Sequence, residues 1–220
     1  MIGHRGARAI EPENTIRSFV RAEAEGADEI ELDLRVTADG RLVILHDAAV
    51  DRTTDGTGEL AGLSFAELRE LDAGEGERVP TFAEVLDAVT LPIQAEVKEM
   101  AAVAPLAGLA RSRPLAGRIL VSSFGPEIVT ALAEVVPELP RALIMSGAPD
   151  DAVTRGRAVG ASMLCLGVAA LEPSLREECR AAGMSVDAWP VNDPAALRRA
   201  VDLEVEAITT DNPHLISGWL

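Results

Sequence analysis

Short apolar segments rich in β-branched residues alternate with Ala-, Leu-, Glu- and Arg-rich stretches along almost the whole chain. This alternation predicts repeated strand–helix units. Strands that follow one another through helices are parallel and have right-handed crossovers. The first candidate strand ends at His4, and the others are Glu29–Val36, Leu42–His46, Pro92–Lys98, Arg118–Ser123, Arg141–Ser146, Ser162–Gly167, Ser185–Trp189 and Glu206–Asp211.

The candidate strand Leu42–His46 differs from the others because no helix separates it from its predecessor. The intervening turn Thr37–Gly40 contains an Asp-Gly pair, which favours a tight hairpin. Treating this strand as an extra, locally paired one leaves about eight strand–helix units. Eight units in a single domain over residues 1–220 predict a (β/α)8 TIM barrel at the short end of its usual length. An open doubly wound sheet is the alternative, but no G-x-G-x-x-G loop follows any strand.

Residues 47–79 interrupt the alternation with a segment rich in Gly, Thr, Asp and Glu. It contains one short helical piece, Ser64–Leu71, and a run at Arg52–Gly58 that we interpret as a turn cluster. The segment is too small to hold much of a core alone. We therefore interpret it as an insertion after the second βα unit, of the kind that often covers a barrel's active site.

Capping residues mark several predicted helix starts. Asn14 is expected to cap the first helix, which ends at Gly26. Thr81 is expected to cap a later helix, with Glu84 at the capping-box position. Proline is favoured in the first turn of a helix, and three further helices are expected to start near Pro126, Pro173 and Pro194.

The formal net charge of −16 excludes several partner classes. A surface this acidic repels nucleic acid and anionic lipid head groups, so an anionic small-molecule substrate requires a local cationic centre. No secretory signal or membrane-spanning stretch is visible, and we expect a cytoplasmic protein. Cys165 and Cys179 are expected to be buried and unpaired.

Polar residues lie at the predicted carboxyl ends of most strands. Glu31 and Asp33 are two residues apart in the second strand and therefore share one face, and Glu96 and Lys98 repeat this spacing. Because the carboxyl ends of barrel strands meet at one mouth, we expect these residues to converge. The other strand-end residues are His4, Arg5, His46, Asp47, Ser122, Ser123, Phe124, Trp189, Asn192, Thr210 and Asp211.

Three carboxylates, Glu31, Asp33 and Glu96, without a Cys/His cluster favour a hard divalent cation, Mg²⁺ or Ca²⁺, over zinc. Arg5 and Lys98 supply positive charge suited to a phosphate group. Plain structural alternatives remain at this point. The carboxylate pair of the second strand could face solvent on an edge strand, and Glu96 with Lys98 could be a simple ion pair.

Two histidines, His4 and His46, can exchange protons near neutral pH, one as a base and one as an acid. Taken alone, His46 fits a hydrogen-bonded core histidine better than a catalytic one, and Trp189 fits a core residue better than a ligand contact. A metal, two cationic side chains and two histidines together describe phosphodiester cleavage better than enolisation or hydride transfer.

Motifs along the whole chain resemble those of the glycerophosphodiester phosphodiesterase family. The N-terminal motifs are the more specific ones. The matching segments are HRGA (His4–Ala7), PENT (Pro12–Thr15), GADEIELDLRVTADGRLVILHD (Gly26–Asp47), DRTTDGTG (Asp51–Gly58), VPTFAEVL (Val79–Leu86), EVK (Glu96–Lys98), SSF (Ser122–Phe124), WPVN (Trp189–Asn192) and AITTDNP (Ala207–Pro213).

The resemblance implies a (β/α)8 barrel that hydrolyses a glycerophosphodiester to glycerol 3-phosphate and an alcohol. It also implies that the glycerol hydroxyl next to the phosphoester attacks phosphorus, which gives a cyclic phosphate that water opens. The implied roles are general acid and base for His4 and His46, ligands of Mg²⁺ or Ca²⁺ for Glu31, Asp33 and Glu96, phosphate contacts for Arg5 and Lys98, and apolar walls of the glycerol pocket for Phe124 and Trp189.

Two alternatives share this scaffold. A lysophospholipase D-type enzyme, or one that stops at the cyclic phosphate, would catalyse a related reaction. The former requires an apolar groove for a lipid tail, whereas the insertion is short and polar, with Leu60, Leu63 and Phe65 as its few apolar anchors. A barrel that binds a phosphodiester without cleaving it would lack at least one histidine or carboxylate, and all of them are present.

Overall fold

The computed structural model, which describes residues 1–219, consists of strands and helices in alternation. The strands are β1 (Ile2–Gly3), β2 (Glu29–Val36), β3 (Leu42–Ile44), β4 (Ile93–Val97), β5 (Ile119–Ser123), β6 (Arg141–Met145), β7 (Met163–Gly167), β8 (Ser185–Trp189) and β9 (Ala207–Thr210). The α-helices are α1 (Ile16–Ala24), α2 (Phe65–Leu68), α3 (Phe82–Ala88), α4 (Val103–Ser112), α5 (Pro126–Val135), α6 (Ala152–Ala158), α7 (Pro173–Ala181), α8 (Pro194–Asp202) and α9 (Pro213–Trp219). Short 3-10 helices cover Leu60–Gly62, Met100–Ala102 and Val168–Ala170.

Eight of these strands form a closed parallel barrel. Their order around the barrel is β1-β9-β8-β7-β6-β5-β4-β2, and pairing of β1 with both β9 and β2 closes it. The predicted (β/α)8 TIM barrel is therefore confirmed. The strand β3 stands outside the barrel and pairs antiparallel with β2, with Leu34 opposite Ile44 and Val36 opposite Leu42, as the Asp-Gly turn predicts.

The two faces of the barrel strands have different chemistry. The outward residues of β2, Ile30, Leu32 and Leu34, are fully buried beneath the helices, together with Phe19 of α1 and Phe82 of α3. Burial of each such side chain contributes about 1.5–3 kcal/mol to folding. Of the alternate residues of β2, Glu29, Glu31 and Asp33 point into the barrel and are acidic.

Most predicted helix caps are confirmed, and one is wrong. Thr81 and Glu84 form a reciprocal capping box at α3, and α5, α7 and α8 each begin with proline. At α1, however, Thr15 is the cap: its backbone is extended and its side chain accepts a hydrogen bond from the Ser18 amide. Asn14 has a left-handed backbone, with a φ of 60°, which is incompatible with the extended conformation that a cap requires.

The segment of residues 47–79 packs on the hairpin formed by β2 and β3. Its apolar side chains form a small cluster with Val43 and Leu45, to which it contributes Val50, Leu60 and Leu68. Its only α-helix within the described chain is α2, which is shorter than the predicted helical piece.

Two further expectations concern the cysteines and the possibility of a membrane-spanning helix. Cys165 and Cys179 are both buried and free, as predicted. Within residues 1–219, no helix has the length and apolar character needed to cross a membrane.

Gly6 anchors the loop between β1 and α1 against the helix. Its φ is +83°, and a Cβ added there would lie 2.5 Å from the carbonyl carbon of Ser18. The Ser18 hydroxyl in turn donates to the Arg5 carbonyl at 2.9 Å. The loop that carries His4 and Arg5 thus depends on the close approach that glycine allows.

We expect Gly6→Ala to destabilise the protein more than Gly26→Ala. Gly26 has a similar φ of +85°, but a Cβ there meets no atom within 4 Å. The control therefore carries only the left-handed backbone penalty of about 1–2 kcal/mol, whereas Gly6→Ala adds an overpacking cost of about 1–3 kcal/mol. Urea unfolding of both variants measures the difference, and equal losses would show that the Ser18 contact is unimportant.

Candidate active site

A cavity of about 490 Å³, including its open mouth, lies inside the barrel toward the carboxyl ends of the strands. Its walls come from inward-facing residues of most barrel strands and from the loops that follow them. The lining residues are His4, Arg5, Glu31, His46, Gln94, Glu96, Phe124, Ile144, Cys165, Asp187, Trp189 and Thr209.

Three carboxylates, Glu31, Asp33 and Glu96, form a buried triad beside this cavity. One carboxylate oxygen from each lies within 4.8 Å of the others, because β2 and β4 are neighbours with Asp33 in register with Glu96. Burial, together with the charge of Asp33, raises the pKa of Glu31 well above its usual range and that of Glu96 to about 7. Burial first, and then repulsion from Asp33, therefore disfavour the ionised forms of Glu31 and Glu96.

Two cationic side chains and one amide compensate the negative charge of the triad only in part. The Arg5 Nε lies 3.1 Å from Asp33 Oδ2, and the Lys98 Nζ lies 2.7 Å from Glu96 and 3.5 Å from Asp33. The Asn14 side chain donates to Asp33 at 2.7 Å. Although burial opposes ionisation, the charges of Arg5 and Lys98 lower the pKa of Asp33. The triad's buried oxygen donors and remaining excess of negative charge fit a divalent cation such as Mg²⁺ or Ca²⁺.

His4, in the loop after β1, is held by the end of the last barrel strand. Its Nδ1 lies 2.6 Å from Asp211 Oδ1, and Asp211 accepts a second hydrogen bond from Asn192 at 2.8 Å. The His4 Nε2 lies 3.9 Å from Glu31 Oε2. The hydrogen bond at Nδ1 leaves Nε2 as the nitrogen that faces the carboxylate triad.

His46, which follows β3, has a matching arrangement. Its Nδ1 lies 2.6 Å from Asp47 Oδ1, and Asp47 accepts a hydrogen bond from Arg52 Nε at 2.6 Å. Burial lowers the pKa of His46, which favours a neutral imidazole at neutral pH. Both histidines therefore have one nitrogen fixed by an aspartate and the other available for proton transfer.

Two aromatic rings form one wall of the cavity. The ring centroids of Phe124 and Trp189 are 5.7 Å apart in an edge-to-face arrangement, and the Lys98 Nζ lies 5.8 Å from the Phe124 ring centroid. Phe124 is 40% exposed at the mouth, so its ring surface is open to a ligand.

Comparison with known proteins identifies the family to which the chain belongs. The sequence profile of the glycerophosphoryl diester phosphodiesterase family matches residues 4–215. The chain belongs to this family. The predicted family membership and the predicted phosphodiesterase class are therefore confirmed.

Individual relatives within the glycerophosphoryl diester phosphodiesterase family align along nearly the whole chain. The glycerophosphodiester phosphodiesterase of Caldanaerobacter subterraneus subsp. tengcongensis is 31% identical, over 98% of this chain and 95% of the relative. A phosphodiesterase of Oleispira antarctica, solved in complex with the product sn-glycerol-3-phosphate, superposes with a TM-score of 0.93 at 27% identity and covers 99% of this chain and 95% of its own. A glycerophosphodiester phosphodiesterase of Agrobacterium tumefaciens gives a TM-score of 0.88 at 30% identity, over 99% and 98%.

The fold brings the sequence-predicted site residues of this phosphodiesterase together. Asp33 and Lys98 do not line the cavity, but each contacts a residue that does. Asp33 contacts Arg5, and Lys98 contacts Glu96. The predicted residues that line the cavity directly are His4, Arg5, Glu31, His46, Glu96, Phe124 and Trp189.

The sequence places Asp47 and Asp211 at the barrel mouth but does not indicate that they orient the two histidines. Asp47 directly follows His46, and this adjacency is a usable signal. Asp211 lies 207 residues from His4 in the sequence, so no local pattern connects them. The other residues of this kind are Glu13, Asn14 and Arg52.

Arg52, from the 47–79 segment, joins two parts of the site. Besides its bond to Asp47, its guanidinium donates to both carboxylate oxygens of Glu13, at 2.8 and 3.1 Å. Glu13 also accepts a hydrogen bond from Arg5 Nη1 at 2.8 Å. Although burial opposes ionisation, the hydrogen bond from Arg52 and the charge of Arg5 lower the pKa of Glu13 from 4.5 to about 2.

This shift predicts that Glu13 stabilises the fold at neutral pH. A carboxyl whose pKa falls on folding contributes stability above its unfolded-state pKa, and the contribution disappears as the pH falls toward the folded-state value. We expect Glu13→Gln to lower the free energy of unfolding by about 1–3 kcal/mol at pH 7 and by clearly less at pH 3.5. Urea unfolding at both pH values tests this, with the exposed Glu138 as a Glu→Gln control. A loss independent of pH would contradict the ionic role.

Proposed function

We propose that the protein hydrolyses glycerophosphodiesters to glycerol 3-phosphate and an alcohol. The observation that carries this proposal is the joint presence, around one cavity, of two aspartate-bonded histidines and a buried carboxylate triad. The Oleispira antarctica relative, solved with sn-glycerol-3-phosphate, supports the substrate class. Arg5 and Lys98, which contact the triad, would supply positive charge for the phosphate in a protein that is acidic as a whole.

The two histidines would perform the proton transfers. One removes the proton from the glycerol hydroxyl next to the phosphoester, whose oxygen attacks phosphorus. The other donates a proton to the departing alcohol oxygen as its bond to phosphorus breaks. Water then opens the resulting cyclic phosphate, with the histidines exchanging roles. Asp47 and Asp211 hold the two rings in position through the Nδ1 atoms.

Holding the attacking hydroxyl beside phosphorus makes the first step intramolecular, which is the main advantage of such a site. Phe124 and Trp189 would pack against the carbon atoms of glycerol. The alcohol would leave toward the open mouth of the cavity.

Glu31, Asp33 and Glu96 would hold a divalent cation, either Mg²⁺ or Ca²⁺. When bound, the cation stabilises negative charge on the phosphoryl oxygens. This assignment accounts for three buried carboxylates with only two cationic side chains beside them.

We also propose that residues 1–220 act as one barrel domain in which residues 47–79 are an insertion. The contacts of Arg52 with Asp47 and Glu13 support this, because they attach the segment to the mouth of the barrel.

We expect the protein to release sn-glycerol 3-phosphate from glycerophosphocholine, and either His4→Ala or His46→Ala to lower kcat by at least about 10²-fold. The third histidine, His214, lies outside the cavity, and His214→Ala is the matched control. A coupled assay of glycerol 3-phosphate measures all three variants. Near-wild-type turnover by a cavity variant would remove that histidine from the mechanism. Cleavage only of the lysophospholipid counterpart would favour the lysophospholipase D-type reaction.

We expect activity to require Mg²⁺ or Ca²⁺ and to disappear in excess chelator. Glu31→Gln should raise the metal concentration for half-maximal activity by at least about 10-fold. Losing even a residue that only hydrogen-bonds a metal ligand typically lowers metal affinity or activity by about 10-fold or more. Glu29→Gln changes the preceding inward position of β2, outside the triad, and is the control. Full activity of the wild type in metal-free buffer would refute the metal assignment.

A further inference from the structure

A second polar layer lies beneath the candidate catalytic groups. Gln94 and Asp187 each stand two residues before a mouth residue, Glu96 and Trp189 respectively, so they point into the same interior one layer deeper. Cys165 and Thr209 complete this layer, and all four residues line the cavity. We refer to Gln94, Cys165, Asp187 and Thr209 as the floor.

The floor is almost completely buried, yet some of its polar atoms have no protein partner. Asp187 is 1% exposed and Gln94 is 3% exposed. The Thr209 hydroxyl donates to Asp187 Oδ2 at 2.8 Å, and the Gln94 amide nitrogen lies 3.5 Å from the Cys165 sulfur. Within residues 1–219, Asp187 Oδ1 and Gln94 Oε1 receive no hydrogen bond of good geometry, although the Cys165 and Gln94 side chains lie close enough to Asp187 to oppose the rise of its pKa. Buried acceptors of this kind are unfavourable unless a water molecule or a ligand donates to them.

The surroundings restrict what can bind there. An anion is disfavoured by the carboxylates of Glu31 and Glu96 above the floor. Burial raises the pKa of Asp187, which favours a neutral carboxyl with little attraction for a cation. A neutral hydroxyl fits both protonation states, because it can donate to a carboxylate and accept from a carboxyl group.

We propose that Asp187 and Gln94 bind the terminal hydroxyl of the substrate's glycerol, the one remote from phosphorus. This inference rests on the proposed function. In that reaction the phosphate lies near Arg5 and Lys98, and the middle hydroxyl is used for attack. The terminal hydroxyl is then the only free polar group of the glycerol, and the cavity continues from the catalytic groups to the floor. Two residues of strand separate the layers by about 7 Å, a span that suits a three-carbon polyol esterified at one end.

The floor would therefore make the enzyme selective for glycerol over a diol that lacks the terminal hydroxyl. A diol without the terminal hydroxyl would leave a buried acceptor of the site without a hydrogen-bond donor, so the site binds it more weakly than glycerol. The test compares sn-glycerol 3-phosphate with propane-1,2-diol 1-phosphate by titration calorimetry in the presence of Mg²⁺, and compares kcat/KM for the corresponding phosphocholine diesters. We expect the wild type to prefer the glycerol compound by at least about tenfold in both measurements.

Variants of the floor identify the residues responsible. Asp187→Ala should reduce the preference to near one, whereas Asp187→Asn should retain most of it because an amide has the same shape and can bond a hydroxyl. Gln94→Met, which keeps the length of the side chain, should reduce the preference in part and serves if Asp187→Ala fails to fold. Ser122 is buried without a hydrogen-bond partner for its hydroxyl in the described chain, but it does not line the cavity. Ser122→Ala should therefore retain the wild-type ratio.

The outcomes separate this inference from the proposed function. Equal binding of the two phosphates by the wild type, or an unchanged preference in Asp187→Ala, would overturn the hydroxyl-binding floor and leave it as a site for water. Selective binding of sn-glycerol 3-phosphate without any hydrolysis of glycerophosphocholine would support the floor and refute the proposed reaction.

Discussion

Asp33 is fully buried inside the barrel, and a charge in such a place is stable only with partners. Those partners come from three parts of the chain: Arg5 from the loop after β1, Asn14 from the turn before α1, and Lys98 from the end of β4. Removing one partner of a buried ion pair typically costs about 3–5 kcal/mol. The interactions of Asp33 therefore fix the relative positions of these three segments, and with them the rest of the candidate active site.

The parts of this arrangement that follow from regular strand geometry could be predicted from the sequence. A spacing of two residues puts Glu31 and Asp33 on one face whatever the tertiary structure, and the same holds for Glu96 and Lys98. The barrel was predictable for a similar reason, because each strand–helix unit is a local pattern that repeats eight times. The hairpin of β2 and β3 followed from an Asp-Gly turn, which is also local.

The parts that depend on barrel closure or on competition between local and distant partners could not be predicted. Asp211 reaches His4 only because β9 pairs with β1. Asn14 has the chemistry of a helix cap, which is the local solution, but the buried carboxylate of Asp33 has the greater need of a donor. Thr15 then caps the helix instead. Arg52 lies in a turn-rich segment whose sequence gives no indication that it contacts Glu13.

Metal and substrate are linked through charge in the proposed function. The protein carries a net charge of −16, and the cationic groups suited to a phosphate, Arg5 and Lys98, are already paired with carboxylates. A divalent cation on the triad would offset the negative charge that raises the pKa values of Glu31 and Glu96, and would leave more of the positive charge of Lys98 and Arg5 for the phosphate. Because such coupling is reciprocal, a bound phosphodiester would strengthen metal binding to the same extent. In the proposed function, the acidic residues inside the barrel would thus make the recognition of the phosphodiester depend on the metal.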